Sequence, residues 1–256
     1  MNDVIPRSRY ALVVGSGCAL AGVLLSGCGG EKDPDAGTNG VGRLAPDRIE
    51  AKTRAAAESA KSVRMAGTVV SQGKRFRLDM RLKEGGGVGQ VSSGGSTFEL
   101  LKVGKDLFLK ADGDFYRGHK NGAGGAAGGK GDAAAKLEGK YVKVPSEDPS
   151  YKKLSGFTDL KVLLDGFFVL DGELAEGDHG TVNGRRTVAL TADGGRGGTV
   201  EVALEGEPYP LRYSRAGGAG TLELSDYNKD FELKAPDAKH IVDYGEQISG
   251  SGQPGQ

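Results

Sequence analysis

The sequence predicts a mainly β (α+β) domain built on a large antiparallel sheet. Short segments alternate apolar and polar residues, glycine clusters separate them, and the helical crossovers that parallel strands would need are absent. Glycine accounts for 45 of the 256 residues, more than twice its usual share of about 7%. Much of the excess falls between apolar segments, where glycine is typical of turns.

The clearest strand pattern covers residues 75–82. Apolar Phe76, Leu78, Met80 and Leu82 alternate there with charged Arg75, Arg77, Asp79 and Arg81. This period of two places an apolar face opposite a charged face. Ten further strands are predicted at Val63 to Ser71, Val88 to Ser92, Thr97 to Val103, Asp106 to Lys110, Lys140 to Val144, Thr181 to Ala192, Thr199 to Glu205, Leu211 to Arg215, Thr221 to Ser225 and Phe231 to Lys234. About eleven strands joined by short turns favour an antiparallel sheet.

Two segments have helical spacing. Pro46 and Asp47 favour a helix start, and the first helix is predicted to run to about Ser62. The second is predicted from Phe157 to Phe168, where five apolar residues recur at helical intervals. These residues are Leu160, Leu163, Leu164, Phe167 and Phe168. This helix most simply covers the open side of the sheet, and the pattern alone leaves both a solid core and a cavity beneath it open.

The first residues combine a short basic start with an apolar run from Ala11 that ends at Leu25-Ser26-Gly27-Cys28. The run is about 15 residues long, shorter than the roughly 20 that span a bilayer as a helix, so residues 1–27 are predicted to be a removable signal peptide. Leu-Ser-Gly-Cys resembles a lipobox, the processing site of bacterial lipoproteins. The resemblance implies that Cys28 receives a diacylglycerol and becomes the first mature residue. The alternative is an ordinary signal peptide with an accidental cysteine.

Composition divides the rest of the chain. Residues 28–43 contain almost no apolar side chains and are predicted to be the lipidated cysteine and a flexible tether. The folded domain is predicted at 44–245, and 246–256 form a flexible tail. Within the domain, 12 of the 15 residues at 121–135 are Gly or Ala. This composition indicates a disordered insertion.

Charge and cysteine content narrow the classes of function. The 34 basic residues balance the 34 acidic residues, which argues against nucleic acid as the main partner, since phosphate binding needs a net basic face. After processing, Cys28 is the only cysteine of the two in the chain. The domain is therefore expected to fold without an internal disulfide.

The candidate motifs in the sequence do not indicate a catalytic site. The segment Gly124 to Lys130 matches part of a phosphate-binding loop, but Gly131 replaces the Ser or Thr that would bind magnesium. His119, His179 and His240 are isolated from one another, so we expect no metal and no cofactor. The acidic residues Glu173, Glu176 and Asp178 are predicted to lie in a solvated loop, with His179 in a polar turn. The chain is predicted not to be an enzyme.

Several stretches together resemble the actinobacterial LppX/LprG lipoproteins and, more distantly, the LolA/LolB lipoprotein carriers. They are Gly139 to Pro145, the helix at Leu160 to Leu164, Gly184 in its turn, Glu207 to Arg212, and Leu224 to Tyr227 leading to Ala235-Pro236. The resemblance implies a half-open antiparallel β-barrel covered by helices, with an apolar cavity for acyl chains. It also implies a carrier or presenter of lipids rather than an enzyme.

The predicted function is that of a lipoprotein on the extracytoplasmic face of the cell membrane that binds a lipid or lipoglycan. We expect a monomer whose partners are the membrane, through diacylglyceryl-Cys28, and the hydrophobic ligand. The predicted cavity lining is Phe76, Leu78, Met80, Leu82, Leu160, Leu163, Leu164, Phe167 and Phe168. The alternative is an envelope scaffolding or sensing lipoprotein that acts through protein contacts without a lipid cavity.

Overall fold

A computed structural model describes residues 33–71, 73–112, 137–167 and 169–243. Apart from residue 33, these belong to one compact unit, Pro34–Gln256. The predictions for the signal peptide, Cys28, His119, the phosphate-loop match, the insertion at 121–135, Phe168 and the tail at 246–256 fall outside the described residues.

Twelve described strands form one sheet. Their bounds are β1 Ser62–Ser71, β2 Lys74–Lys83, β3 Gly86–Ser93, β4 Ser96–Val103, β5 Asp106–Ala111, β6 Tyr141–Val144, β7 Leu174–Val182, β8 Arg185–Ala192, β9 Thr199–Ala203, β10 Pro210–Ser214, β11 Gly220–Ser225 and β12 Ile241–Val242. The order is β12-β6-β5-β4-β3-β2-β1-β11-β10-β9-β8-β7. All neighbours are antiparallel except β12 and β6, which are parallel. The sheet is not closed. The predicted mainly β fold with an open sheet and few helices is therefore confirmed.

Two strand predictions need correction. The single strand predicted at Thr181 to Ala192 is a hairpin, β7 and β8, whose turn residues Asn183 and Gly184 have φ of 50° and 78°. Asn-Gly is the preferred pair for such a turn because both positions need positive φ. As a result Glu176, Asp178 and His179 lie in strand β7 rather than in a loop.

The strand predicted at Phe231 to Lys234 does not form. After β11 the chain leaves the sheet, and side-chain contacts hold it at the end of β2. The Lys83 Nζ atom lies 3.1 Å from an Asp230 carboxylate oxygen and donates to the Phe231 carbonyl at 2.5 Å. The last strand is instead the two-residue β12.

The first helix, α1, runs from Pro46 to Glu58. Proline suits the first position because it lacks the N–H that would be unpaired there, and Asp47 complements the positive helix terminus. The helix ends before the predicted Ser62 because β1 starts at that residue. Ile49 and Ala57 enter the main core, and Ala56 joins a smaller cluster.

Two further helices bracket a short 3-10 turn. They are α2 at Pro149–Ser155, the turn at Gly156–Thr158, and α3 at Leu160–Phe167. The α2 helix was not predicted, although Asp148 caps it by accepting a hydrogen bond from the Ser150 N–H at 2.7 Å. Throughout the described ranges, no helix combines the length and apolarity needed to cross a membrane.

Residues 34–43, assigned from composition to the tether, are packed on the sheet. The Asn39 side-chain amide donates to the carbonyls of Ala203 at 3.0 Å and Gly206 at 2.9 Å, and its backbone N–H donates to Leu204 at 2.8 Å. Val41 is buried in the main core. Hydrogen bonds of Asn39 and the buried Val41 thus hold on the sheet a segment whose composition predicts a flexible chain.

The core lies on one side of the sheet, which we call the inner face. Met65 of β1, Met80 and Leu82 of β2, and Leu100 of β4 are fully buried there. Their neighbours along β2, including Arg75 and Arg77, are exposed on the opposite, outer face. The predicted apolar face of β2 is therefore the inner face of the sheet.

We predict that Asn39→Ala lowers the free energy of unfolding by about 2 kcal/mol, because the Ala203 carbonyl of β9 and the Gly206 carbonyl of the following turn lose their donor. Chemical denaturation measures the change. Lys52→Ala, at an exposed position of α1, is the control and should change stability by less than about 0.5 kcal/mol. Equal stability of the Asn39 variant and the wild type would contradict the assigned role of this side chain.

Candidate ligand groove at the helical cover

Residues 149–167 form what we call the helical cover, and they pack on the inner face of the sheet. Leu154, Phe157, Leu160 and Leu163 are half-buried against the main core. Among the side chains described in the cover, only Thr158 and Leu164 are buried. The cover is therefore held by much less buried surface than the strands beneath it.

Tyrosine hydroxyl groups fasten both ends of the cover. The Tyr151 hydroxyl of α2 donates to the Lys105 carbonyl at 2.7 Å. The Tyr213 hydroxyl of β10 donates to the Val169 carbonyl, just after α3, also at 2.7 Å. Burial raises the pKa of Tyr213, so its hydroxyl stays protonated and remains a donor at neutral pH.

An aromatic contact and a glycine pair bring the middle of the cover close to the sheet. The Phe157 ring lies 5.9 Å from the Phe76 ring, centroid to centroid. Gly87 and Gly89 of β3 leave the inner face without side chains at two positions. A Cβ at Gly87 would lie 3.2 Å from the Thr158 carbonyl oxygen, and one at Gly89 would lie 2.8 Å from the Met80 sulfur. Glycine is required here by close approach.

A groove of about 900 Å³ opens beside the cover. Its walls are the end of α1 (58–61), the turn between β2 and β3 (83–86), the end of β4 and following turn (102 and 104), and residues 158–165 of the cover. Leu160 and Leu164 supply its largest apolar side chains. The volume lies in the range of small-molecule sites, about 300 to 1,000 Å³.

Charged side chains surround these two leucines. Four lysines and four carboxylates line the groove, so its formal charge is balanced: Lys61, Lys83, Lys102, Lys161, Glu58, Glu84, Asp159 and Asp165. The Lys102 Nζ atom lies 4.0 Å from an Asp159 carboxylate oxygen. The Lys83 ammonium, which is hydrogen-bonded to Asp230 outside the groove, lowers the pKa of that carboxyl. An apolar patch inside a charged rim suits an amphiphilic ligand.

The predicted lining residues separate into groups in the structure. Leu160 and Leu164 line the groove. Leu78, Met80 and Leu82 are buried in the main core, while Phe76 and Leu163 are half-buried against it. Phe167 is the last residue of α3, and its side chain lies outside the described atoms, as does all of Phe168. Sequence reasoning missed the charged rim, because it brings together residues from four separate segments.

The remaining candidate residues lie elsewhere. His179 of β7 has its Nε2 atom 3.2 Å from a carboxylate oxygen of the buried Asp35, which joins the N-terminal segment to the edge of the sheet. His240 is exposed. In the part of the chain that the structure covers, no three His, Cys, Asp or Glu side chains are grouped as metal ligands.

The fold defines a class: an open, mainly β sheet whose inner face is covered by helices. The chain has this fold in common with LprF from Mycobacterium bovis, a lipoprotein of the LppX/LprG type, with a TM-score of 0.50 and 14% identity over 75% of this chain and 96% of LprF. The predicted resemblance is confirmed at the level of the fold. An uncharacterized conserved protein from Thermus thermophilus aligns with a TM-score of 0.33 and 10% identity over 78% of this chain and 99% of that protein. No protein-family profile and no curated protein matches the sequence.

We predict that Tyr213→Phe loosens the end of α3, because the Val169 carbonyl loses its donor. Amide hydrogen exchange of residues 160–167 should become about fivefold faster, as expected for the loss of about 1 kcal/mol. The control is Tyr151→Phe, which should affect residues 149–155 and leave α3 unchanged. Unchanged exchange of α3 in the Tyr213 variant would show that this hydroxyl does not fasten the cover.

Proposed function

We propose that this protein is a non-enzymatic lipoprotein that binds a hydrophobic, amphiphilic ligand at the helical cover. The observation that carries the proposal is the groove of about 900 Å³, in which the half-buried Leu160 and the buried Leu164 form the apolar lining inside a charged rim. The polar end of an amphiphile can contact the lysines and carboxylates. Its apolar part can lie against the two leucines, where burying each methylene contributes about 0.8 kcal/mol.

The shallow packing of the cover supports a deeper route for an acyl chain. Segments held by few buried contacts open at a lower free energy than the rest of a domain. When the cover lifts, Leu163 moves with it, and Phe76, Leu78, Met80 and Leu82 on the inner face of the sheet become accessible. The predicted lining residues whose side chains the structure describes thus belong to one proposed site that has a closed and an open arrangement.

The location is part of the proposal. The lipobox-like Leu25-Ser26-Gly27-Cys28 supports acylation of Cys28 after removal of residues 1–27. The fold is similar to that of the lipoprotein LprF, which supports the proposal that this chain is also a lipoprotein. We propose that the mature chain is held on the extracytoplasmic face of the cell membrane, close to its lipid ligands.

A second candidate function has one specific observation in its favour. Val162 and Val169 are exposed by 54% and 61%, which places two large apolar side chains on the solvent side of the cover region. Such residues could contact another envelope protein in a scaffolding or sensing role. This function predicts that substitution of Val162 weakens a protein contact and has no effect on lipid.

We predict that gently purified protein carries a lipid, or binds one when offered, and that Leu160→Gln weakens this binding about fivefold to tenfold. The loss corresponds to about 1 kcal/mol of apolar contact from a half-buried leucine. Native mass spectrometry measures the bound fraction. Val162→Gln, on the same helix but outside the groove, is the matched control and should bind within about twofold of the wild type.

If no lipid is bound under any of these conditions, the carrier function is wrong. Equal losses in the Leu160 and Val162 variants would also contradict the assigned groove, because only Leu160 lines it.

We predict that Cys28→Ala abolishes acylation and lipoprotein-type processing. The variant should keep a longer N-terminus and lose the added mass of the diacylglycerol, which mass spectrometry of the intact protein detects. Ser26→Ala, which keeps a small residue two positions before the cysteine, is the control and should be processed normally. Unchanged mature mass and membrane attachment in the Cys28 variant would contradict the proposed anchor.

A further inference from the structure

A separate feature of the molecule lies on the outer face of the sheet, at the hairpin that joins β1 and β2. Arg75 and Arg77 stand on this face and are both exposed. They occupy alternate positions of one strand, so their attachment points lie about 7 Å apart. Arg215 lies at the same end of the sheet, where its guanidinium donates at 3.4 Å to the carbonyl of Val70, the cross-strand partner of Arg75. We call the exposed pair Arg75 and Arg77 the arginine face.

The surrounding strand ends contain no carboxylate. No Asp or Glu occurs in residues 62–78, 86–98 and 210–222, which include all of β1, β3 and β10 and parts of β2, β4 and β11. On the outer face the neighbours are hydroxyl groups. Thr68 and Ser92 are the cross-strand partners of Arg77 on its two sides. A local excess of positive charge therefore stands in a chain whose formal net charge is zero.

The nearest carboxylates of the outer face are already engaged. Asp79 accepts from Arg64 at 2.7 and 2.9 Å, and this contact raises the pKa of Arg64. Glu223 accepts from Arg212 at 2.8 Å, and Glu99 accepts from the Tyr141 hydroxyl. Within the described residues, Arg75 and Arg77 have no side-chain hydrogen bond and no ion pair. Their charges are available to an external partner.

We propose that the arginine face docks on an anionic bilayer surface. The side chains stand on an exposed strand face and do not enclose a small ion, so they fit an extended layer of negative headgroups. Each Lys or Arg near such a surface contributes about 1 kcal/mol. The choice of a bilayer over a soluble polyanion rests on the proposed anchor at Cys28, which would keep the domain beside the membrane.

Vesicle partitioning tests this docking. The full chain carrying Cys28→Ala is mixed with two kinds of vesicle. One contains phosphatidylcholine alone, and the other contains phosphatidylcholine with about 30% of the anionic lipid phosphatidylglycerol. The measured quantity is the partition coefficient for the anionic vesicles divided by that for the phosphatidylcholine vesicles. Binding by uncharged apolar residues cancels in this ratio. The ratio should exceed one and should fall steeply as salt is raised, since exposed charges are screened.

Substitutions then test whether the charges of Arg75 and Arg77 cause the preference for anionic vesicles. Arg75→Gln with Arg77→Gln should lower the ratio about 30-fold, and Arg77→Gln alone about fivefold. The control is Lys152→Gln with Lys153→Gln, which makes the same change in net charge at two exposed positions of α2. This control should leave the ratio within about twofold of its starting value.

Three results would overturn the docking surface. They are a ratio of one, equal losses in the arginine and lysine variants, and tighter binding to a single-stranded nucleic acid than to anionic vesicles at the same salt. None of them bears on lipid binding in the groove or on acylation of Cys28, which the native mass and intact mass measurements report separately.

Discussion

Because the twelve-stranded sheet does not close on itself, its apolar inner face has to be covered by other parts of the chain. Strands that bury Met65, Met80 and Leu100 completely would otherwise expose a large apolar surface to water, which is strongly unfavourable. Helix α1 covers part of this face and packs deeply into the core, since its Ile49 is fully buried. The helical cover packs on this face less deeply, through half-buried leucines and aromatic residues. Hydrogen bonds from two tyrosine hydroxyl groups hold its ends. The open sheet thus explains why a weakly held cover and a groove occur together.

The same alternation that builds the core also separates two kinds of surface chemistry. Even-numbered residues of β2 from Phe76 to Leu82 face the core, while odd-numbered Arg75 and Arg77 face outward. Near Lys83, at the far end of the strand, lysines and carboxylates balance around the groove. The arginine face and the groove are therefore separated by about 20 Å along β2, from Arg77 to Lys83. This separation lets the proposed headgroup contact and the proposed ligand binding be tested by separate substitutions.

Errors in the predicted elements came from residues whose partners are distant in the chain. The charges of Glu176 and Asp178 suggested a loop, but β7 is an edge strand, where one side of the backbone is solvated and charged side chains are tolerated. Phe231 has the apolar character of a strand residue, yet the contact of Lys83 with this segment holds it off the sheet. Residues 34–43 have the composition of a tether, and Asn39 alone supplies three hydrogen bonds that fix them to the end of β9 and the following turn.

The sequence by itself determined the mainly β class, the inner and outer faces of β2, and the start of helix α1, because these depend on periods of two and on local capping. It also determined the lipobox-like motif at Cys28, which the described structure does not include. Only the tertiary structure decided the strand order, the tyrosine bonds that hold the cover, and the meeting of four segments at the groove. Those features join residues far apart in the chain, and their free energy depends on contacts that no local pattern of side chains encodes.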